Sequence, residues 1–287
     1  MPLSETDLSD PLATVLAEPP GDDVQLHWLG QAGFVIDGGR RRVVIDPYLS
    51  HSLAIKYRGR PFPHTRMMPA PVAPDDVGHV DLVLATHAHT DHLDPGTLPA
   101  LMSANPGALL LVPAAIDTVA IARSGIGSNR LIGVDAGDVR EPVAGLRITA
   151  TRAAHETMQR DAAGRHLFLG YAIALGDVTI FHSGDTVPYE GQIEEVAALK
   201  ADLALLPVNG RDAERAAQGV PGNLHLAEAA DLAAGAGIPA VIAHHFDMFA
   251  FNTVPRAKID AFAASESRLY LCGARAGVQY RLGTAAL

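Results

Sequence analysis

Apolar residues recur in two registers along the chain, and the switches between them divide it into elements. Residues 24–29, 33–36 and 42–45 are short strand-like runs, the last two separated by Gly38-Gly39, a dipeptide suited to a hairpin turn. The chain thus opens as a β-meander. Residues 81–85 and 109–112 are almost continuously apolar, the pattern of strands covered on both faces. Residues 114–123 predict a helix, and 131–134, 147–151, 168–175 and 178–181 predict further strands, the last two joined at Gly176-Asp177. The pattern then alternates. A helix is expected at 190–200, a strand at 203–207, a helix at 226–234, a strand at 240–243, a helix at 255–264, and closing strands at 269–271 and 278–281. Strands precede helices twice, which implies two packed β-sheets with helices on their outer faces, an α/β (α+β) architecture.

Two segments stand outside this pattern. Residues 50–73 carry Pro61, Pro63, Pro69 and Pro71 among Lys56, Arg58, Arg60 and Arg66, and read as a long surface loop with conspicuous positive charge. Residues 1–23 are acidic and proline-bearing and read as an N-terminal tail, leaving 24–287 as a single domain with two similar halves.

Composition narrows the function classes. With 287 residues, 48% of them hydrophobic, the chain has material for a large core, and its net charge of −10 argues against nonspecific nucleic-acid binding. The longest apolar or small-residue stretches, 108–116 and 233–243, contain Pro113, or Gly235, Gly237 and Pro239, and fall short of the roughly 18–20 residues a membrane helix needs. No secretory pattern opens the chain, and Cys272 is the single cysteine, so a reducing cytoplasm is expected. Cys272 lies in a strand-like segment without an adjacent base, where a buried core thiol is the expected role.

The candidate chemistry is concentrated at Thr86-His87-Ala88-His89-Thr90-Asp91-His92, directly after a strand and before Asp94-Pro95, which has the form of a helix N-cap followed by proline at the first helical position. Imidazole and carboxylate are ligands for zinc and its neighbours. Alternation puts His87 and His89 on one side of an extended segment, able to reach one ion, while Asp91 and His92 point elsewhere and can serve a second. The competing reading is a surface histidine cluster.

The run His87-x-His89-x-Asp91-His92 resembles the signature of the metallo-β-lactamase fold superfamily. The resemblance implies a four-layer αββα sandwich with metal at one edge, and it assigns later residues in order. His155 joins His87 and His89 on one metal, Asp185 bridges, His245 joins Asp91 and His92 on the other, and Asp46 supports the site through hydrogen bonds. The local sequence alone does not choose between His244 and His245; the resemblance selects His245 and leaves His244 to contact substrate or the ligands. His182 is either a core residue or a partner of the ligands, and Asn209 and Arg211 are further candidates for contacting substrate. His225 is expected near a helix cap, and His27, His51, His64, His79 and His166 have no assigned role.

The implied enzyme is a metal-dependent hydrolase with one or two divalent ions, zinc or manganese, using a metal-bound hydroxide, with Asp91 orienting the attacking water. Residues 28–34, Asp46-Pro47, 206–212 and 245–249 resemble the branch containing ascorbate-6-phosphate lactonase, which implies a lactone or phosphorylated small-molecule substrate. The opening segment is also similar to the phosphodiesterase branch that includes N-acyl-phosphatidylethanolamine phospholipase D. A metal-binding protein without turnover is a third alternative, and a homo-oligomer is compatible with all three. The basic residues of 56–66, together with Arg211, are expected either to bind phosphate or to form a solvated surface.

Overall fold

The computed structural model describes residues 3–283. One sheet has eight strands in the order β1-β15-β2-β3-β4-β5-β6-β7 and the other has seven in the order β14-β13-β12-β11-β10-β9-β8. In the first, β2 (Val24–Gly30), β3 (Gly33–Gly38) and β4 (Arg41–Ile45) are antiparallel, whereas β5 (Leu82–Leu84), β6 (Leu109–Pro113) and β7 (Leu131–Val134) continue from β4 in parallel. The second repeats this plan. Antiparallel β8 (Val139–Val143), β9 (Leu146–Arg152), β10 (Leu169–Leu175) and β11 (Val178–His182) lead into parallel β12 (Leu203–Pro207), β13 (Ala240–His244) and β14 (Tyr270–Gly273). Finally β15 (Val278–Leu282) returns to the first sheet beside β2.

Strand alternation sets the layers. Leu26, Trp28, Phe34, Ile36, Val43 and Ile45 face the second sheet and join its Ile148, Tyr171 and Ile173 in one core. Their neighbours Val35, Val44, Val83, Leu110 and Val112 face outward and are covered by α1 (Leu12–Ala17), α3 (Leu98–Ala104) and α4 (Asp117–Ser124). On the far side α5 (Gln192–Ala197), α7 (Leu226–Gly235) and α8 (Arg256–Ser265) cover the second sheet through Val196, Ala229, Ala233 and Ile259, and a short α6 (Ala213–Ala217) lies in the connection from β12 to α7. The result is the expected four-layer sandwich. Among the described residues no helix is long and apolar enough to cross a membrane.

Four local expectations are corrected, and one strand, β8, was unforeseen. Residues within 1–23 are not a bare tail: β1 (Leu3–Asp7) pairs with β15, and α1 buries Leu12 and Leu16. The physical tie is Arg42, whose buried guanidinium bonds Asp37 on both arms and donates to the Leu16, Glu18 and Gly78 carbonyls. The edge strand β8 escapes sequence reading because its residues are largely exposed, with Pro142 and charges where an apolar alternation would stand. Asp94-Pro95 begins a helical turn rather than α3 itself: the Asp94 carbonyl accepts from Leu98 N–H, while its side chain accepts from Gly96 N–H and the Thr97 hydroxyl. Within 50–73 a short helix forms, α2 (Ser52–Lys56). Cys272 is half-buried rather than buried, and burial together with Glu5 pushes its thiol up from the usual range, so it is poorly nucleophilic.

Candidate metal centre

The parallel strands of both sheets end at one edge, and the residues that follow those ends converge there. Asp46 follows β4, His87 to His92 follow β5, Asp185 follows β11 and His245 follows β13, while His155 follows the antiparallel β9. Ends of this kind leave backbone groups free and are common places for ligand sites in open α/β sheets. Two groups of side chains form. His87, His89, His155 and Asp185 can each offer a donor atom within 4.8 Å of the others, and so can Asp91, His92 and His245. Asp185 Oδ2 lies 3.4 Å from His92 Nε2, 3.3 Å from His245 Nε2 and 3.8 Å from His155 Nε2, so it stands between the groups.

Hydrogen bonds orient these rings. Asp46, fully buried, accepts from His92 Nδ1 at 2.7 Å, from the Thr86 hydroxyl at 2.7 Å and from Thr86 N–H at 2.8 Å. Because the Thr86 hydroxyl donates to Asp46, it can only accept from His87 Nδ1, 3.0 Å away. In their neutral forms both imidazoles therefore carry the proton on Nδ1 and leave Nε2 as the ligand atom. Gln31 Nε2 donates to Asp91 Oδ2 at 2.7 Å and lies 3.1 Å from His245 Nε2, and the Gln31 carbonyl accepts from His245 N–H. Phe168 packs against the rings of His87, His89 and His155 and backs that group on one side.

The donor set fits a divalent ion. His87 Nε2, His92 Nε2 and Asp185 Oδ1 are buried without a hydrogen-bond partner among the described residues. Such atoms are costly in a folded protein, and here three of them, all of ligand type, belong to the two donor groups. Charge tells the same story. Burial works to raise the Asp185 carboxyl, yet His245 and His92 hold it well below the carboxylate range. Burial likewise works to lower His92, yet Asp185, Asp46 and Asp91 raise it well above its usual value. Burial pushes His155 down to about 4.

The remaining candidates divide. His182 Nε2 donates to the Ala32 carbonyl at 2.9 Å and its Nδ1 accepts from Gly184 N–H at 3.0 Å, and so the ring braces the turn that carries Asp185. His244 points the opposite way from His245, into the core, stacked on His182 at 4.9 Å; it reaches neither substrate space nor the donor groups' hydrogen bonds. Asn209 bonds Asn252 and Asn223 behind the cavity wall. Arg211 is held by both oxygens of Glu228 at 2.6 and 2.7 Å and does not line the cavity, so it is a brace rather than the expected substrate contact. Glu228 also accepts from His225 N–H at the start of α7.

A cavity of about 480 Å³ opens over the donor groups, with His89, Asp91, His155, Asp185 and His245 in its floor. Its wall includes Lys56, Tyr57, Arg60, Phe62 and His64. The basic loop is therefore split by function. Lys56 and Arg60 face the cavity, whereas Arg66 donates to the Met68, Tyr48 and Ser50 carbonyls and is structural. Sequence reading missed Gln31, Thr86, Phe168, His64 and Asn252 as individual residues. A polar residue with no surface role, such as Thr86 between a strand and the first histidine, was the available signal.

The sandwich and the paired donor groups at its edge define a metal-dependent hydrolase of the metallo-β-lactamase fold. A profile described as "Beta-lactamase superfamily domain" matches residues 41–246, and the chain belongs to that superfamily. It is 33% identical over 193 residues to a UPF0173 metal-dependent hydrolase of Pyrococcus furiosus, covering 65% of this chain and 73% of that one. A relative of the same description from Sulfurisphaera tokodaii is 29% identical over 192 residues, covering 65% and 72%. Among solved structures, a metallo hydrolase from Ignicoccus hospitalis superposes with a TM-score of 0.66 at 20% identity, over 91% of this chain and 99% of that one. An isothiocyanate hydrolase from Delia radicum gut bacteria superposes at 0.69 and 19%, over 92% and 100%. At these identities the structural likeness is one of fold.

Proposed function

We propose that this enzyme hydrolyses a lactone or phosphoester bond in a small anionic molecule, with His87, His89, His155 and Asp185 holding one divalent ion and Asp91, His92, His245 and Asp185 a second. The observation that carries the reading is the cavity itself: its floor is the donor cluster and its wall presents Lys56 and Arg60 in a protein whose net charge is −10. Zinc and manganese both suit imidazole and carboxylate donors. A divalent ion, when bound, supplies the charge that brings water to ionise near neutral pH and polarises the bond under attack.

The chain's own residues do the rest. Asp91 lines the cavity with its carboxylate held by Gln31, and in this reading it accepts a hydrogen bond from the attacking water and fixes its direction. Lys56 donates to the Thr90 hydroxyl at 3.3 Å, which sets its ammonium beside the His89–Asp91 turn, where it offsets negative charge on substrate oxygens. Phe168 backs the rings of His87 and His89 on one side. A lone half-buried thiol without a disulfide partner fits a cytoplasmic enzyme.

The test is hydrolysis of L-ascorbate 6-phosphate beside bis-p-nitrophenyl phosphate by manganese- and zinc-reconstituted protein, with Asp91→Ala as the blank. Turnover of the first supports a lactonase. Turnover of the second moves the enzyme to the phosphodiesterases, and inactivity on both with metal bound removes the lactone and phosphoester reading.

A further inference from the structure

We propose that the outer half of the cavity is a recess for a ring-sized apolar body, so that the substrate is an amphipathic anion: one flat or apolar group joined to a phosphate or carboxylate. The proposal rests on the hydrolase reading of the same cavity and narrows it. Aromatic residues make up only 5% of the chain, yet Tyr57 and Phe62 line this space and are backed by a cluster of Tyr48, Phe249 and Phe251. His64 is the centre of the cluster. Tyr57 stacks on it at 4.2 Å and 20°, and Phe249 and Phe251 meet it edge-on at 4.9 and 4.8 Å. Phe62 lies 4.9 Å from Phe251.

This is not a closed core. Phe249 is buried, but Tyr57, Phe62 and His64 are half-buried and open on the cavity, leaving ring surface that gains by being covered. His64 Nδ1 donates to the Phe62 carbonyl at 2.9 Å, which leaves Nε2 as an acceptor. Burial lowers its pKa, with Asp91 and Lys56 as the nearby charges, so the ring stays neutral and part of the apolar wall.

The cations sit at the inner rim of this wall. Lys56 Nζ is 5.2 Å from the Tyr57 ring centre and 3.3 Å from Thr90 Oγ1, so an anion on Lys56 touches both the ring wall and the turn that carries His89 and Asp91. Arg60 lines the same space. A purely ionic substrate covers none of the aromatic surface, and a purely apolar one leaves two cations unpaired. A cavity of about 480 Å³ admits a small molecule rather than a polymer.

The test is binding of phenyl phosphate, methyl phosphate and benzyl alcohol, measured by calorimetry on metal-loaded and on chelator-stripped protein. The expected result is phenyl phosphate about tenfold tighter than methyl phosphate in both forms, with benzyl alcohol the weakest. Phe62→Leu, which keeps apolar volume, should narrow the phenyl preference, Tyr57→Ala should remove most of it, and Lys56→Met should weaken both phosphates alike. Equal affinity for the two phosphates in the stripped wild-type protein overturns the proposal, as does an unchanged preference in a folded Tyr57→Ala. The two readings fail separately. Ring preference without hydrolysis of any aryl ester by loaded enzyme sinks only the hydrolytic reading, and hydrolysis without ring preference sinks only the recess.

Discussion

The floor and the wall of the cavity are built differently. The floor side chains follow strand ends; His155, Asp185 and His245 are nearly buried, and His92 and Asp46 beneath them are wholly so, with Asp185 held by the charges of His245 and His92. The wall comes mainly from the loop after β4 and from residues 218–221, with Asn252 beside them, and most of its residues are half-buried or exposed. Reaction chemistry needs donors fixed to fractions of an ångström, which sheets supply; selectivity needs surfaces that can change without disturbing the sheets, which loops supply. Substitutions on the floor should therefore remove turnover, and substitutions on the wall should change which molecules are taken.

The largest effect is expected at Asp185, the one side chain standing between both donor groups. Asp185→Ala should lower kcat/KM by on the order of 10³ or more. Metal content measured on the purified variant should fall, while circular dichroism stays that of the folded protein. Near-wild-type turnover would break the division at its strongest point.

Next comes the support beneath the floor. Asp46 touches no cavity surface but accepts from His92 Nδ1 and the Thr86 hydroxyl, and outer partners of this kind typically matter 10- to 100-fold in metal affinity. Asp46→Ala should weaken binding of zinc by about that factor in a chelator competition, with KM little changed. An unaltered affinity would mean that the Asp46 bonds serve packing alone.

The floor was legible in the sequence because its first four donors are crowded into one short run, and their type and spacing need no tertiary information. The wall was not. Lys56, Arg58, Arg60 and Arg66 look alike in a proline-rich loop, and only folding shows that Arg66 is spent on carbonyls while Lys56 and Arg60 meet the cavity. The strand β1 was hidden for a related reason: its partner β15 lies at the other end of the chain, Leu3 pairing with Leu282, and its half-exposed residues carry little apolar signal. His64, with no motif around it, acquires meaning only from the rings that surround it.

On the wall, Lys56→Met should raise KM for a phosphorylated substrate about tenfold while changing kcat little, and the difference from wild type should shrink at high salt. A kcat loss as large as that of Asp185→Ala would move Lys56 from the wall to the floor.

The smallest effect is expected at Arg211, and it sharpens the comparison from the other side. Its sequence context suggested a substrate contact, but its guanidinium is clamped on Glu228 and donates to the Asn223 carbonyl. The side chain is 36% exposed, so solvent screens the pair and Arg211→Ala should cost about 1 kcal/mol or less. For a chain of this size that is a fall of about 2–4 °C in Tm. KM should stay at the wild-type value, because the residue braces the wall from behind without lining the cavity. A KM rise comparable to that of Lys56→Met, with Tm unmoved, would show instead that Arg211 leaves Glu228 to meet the substrate, and the wall would then extend beyond the surface the present cavity exposes.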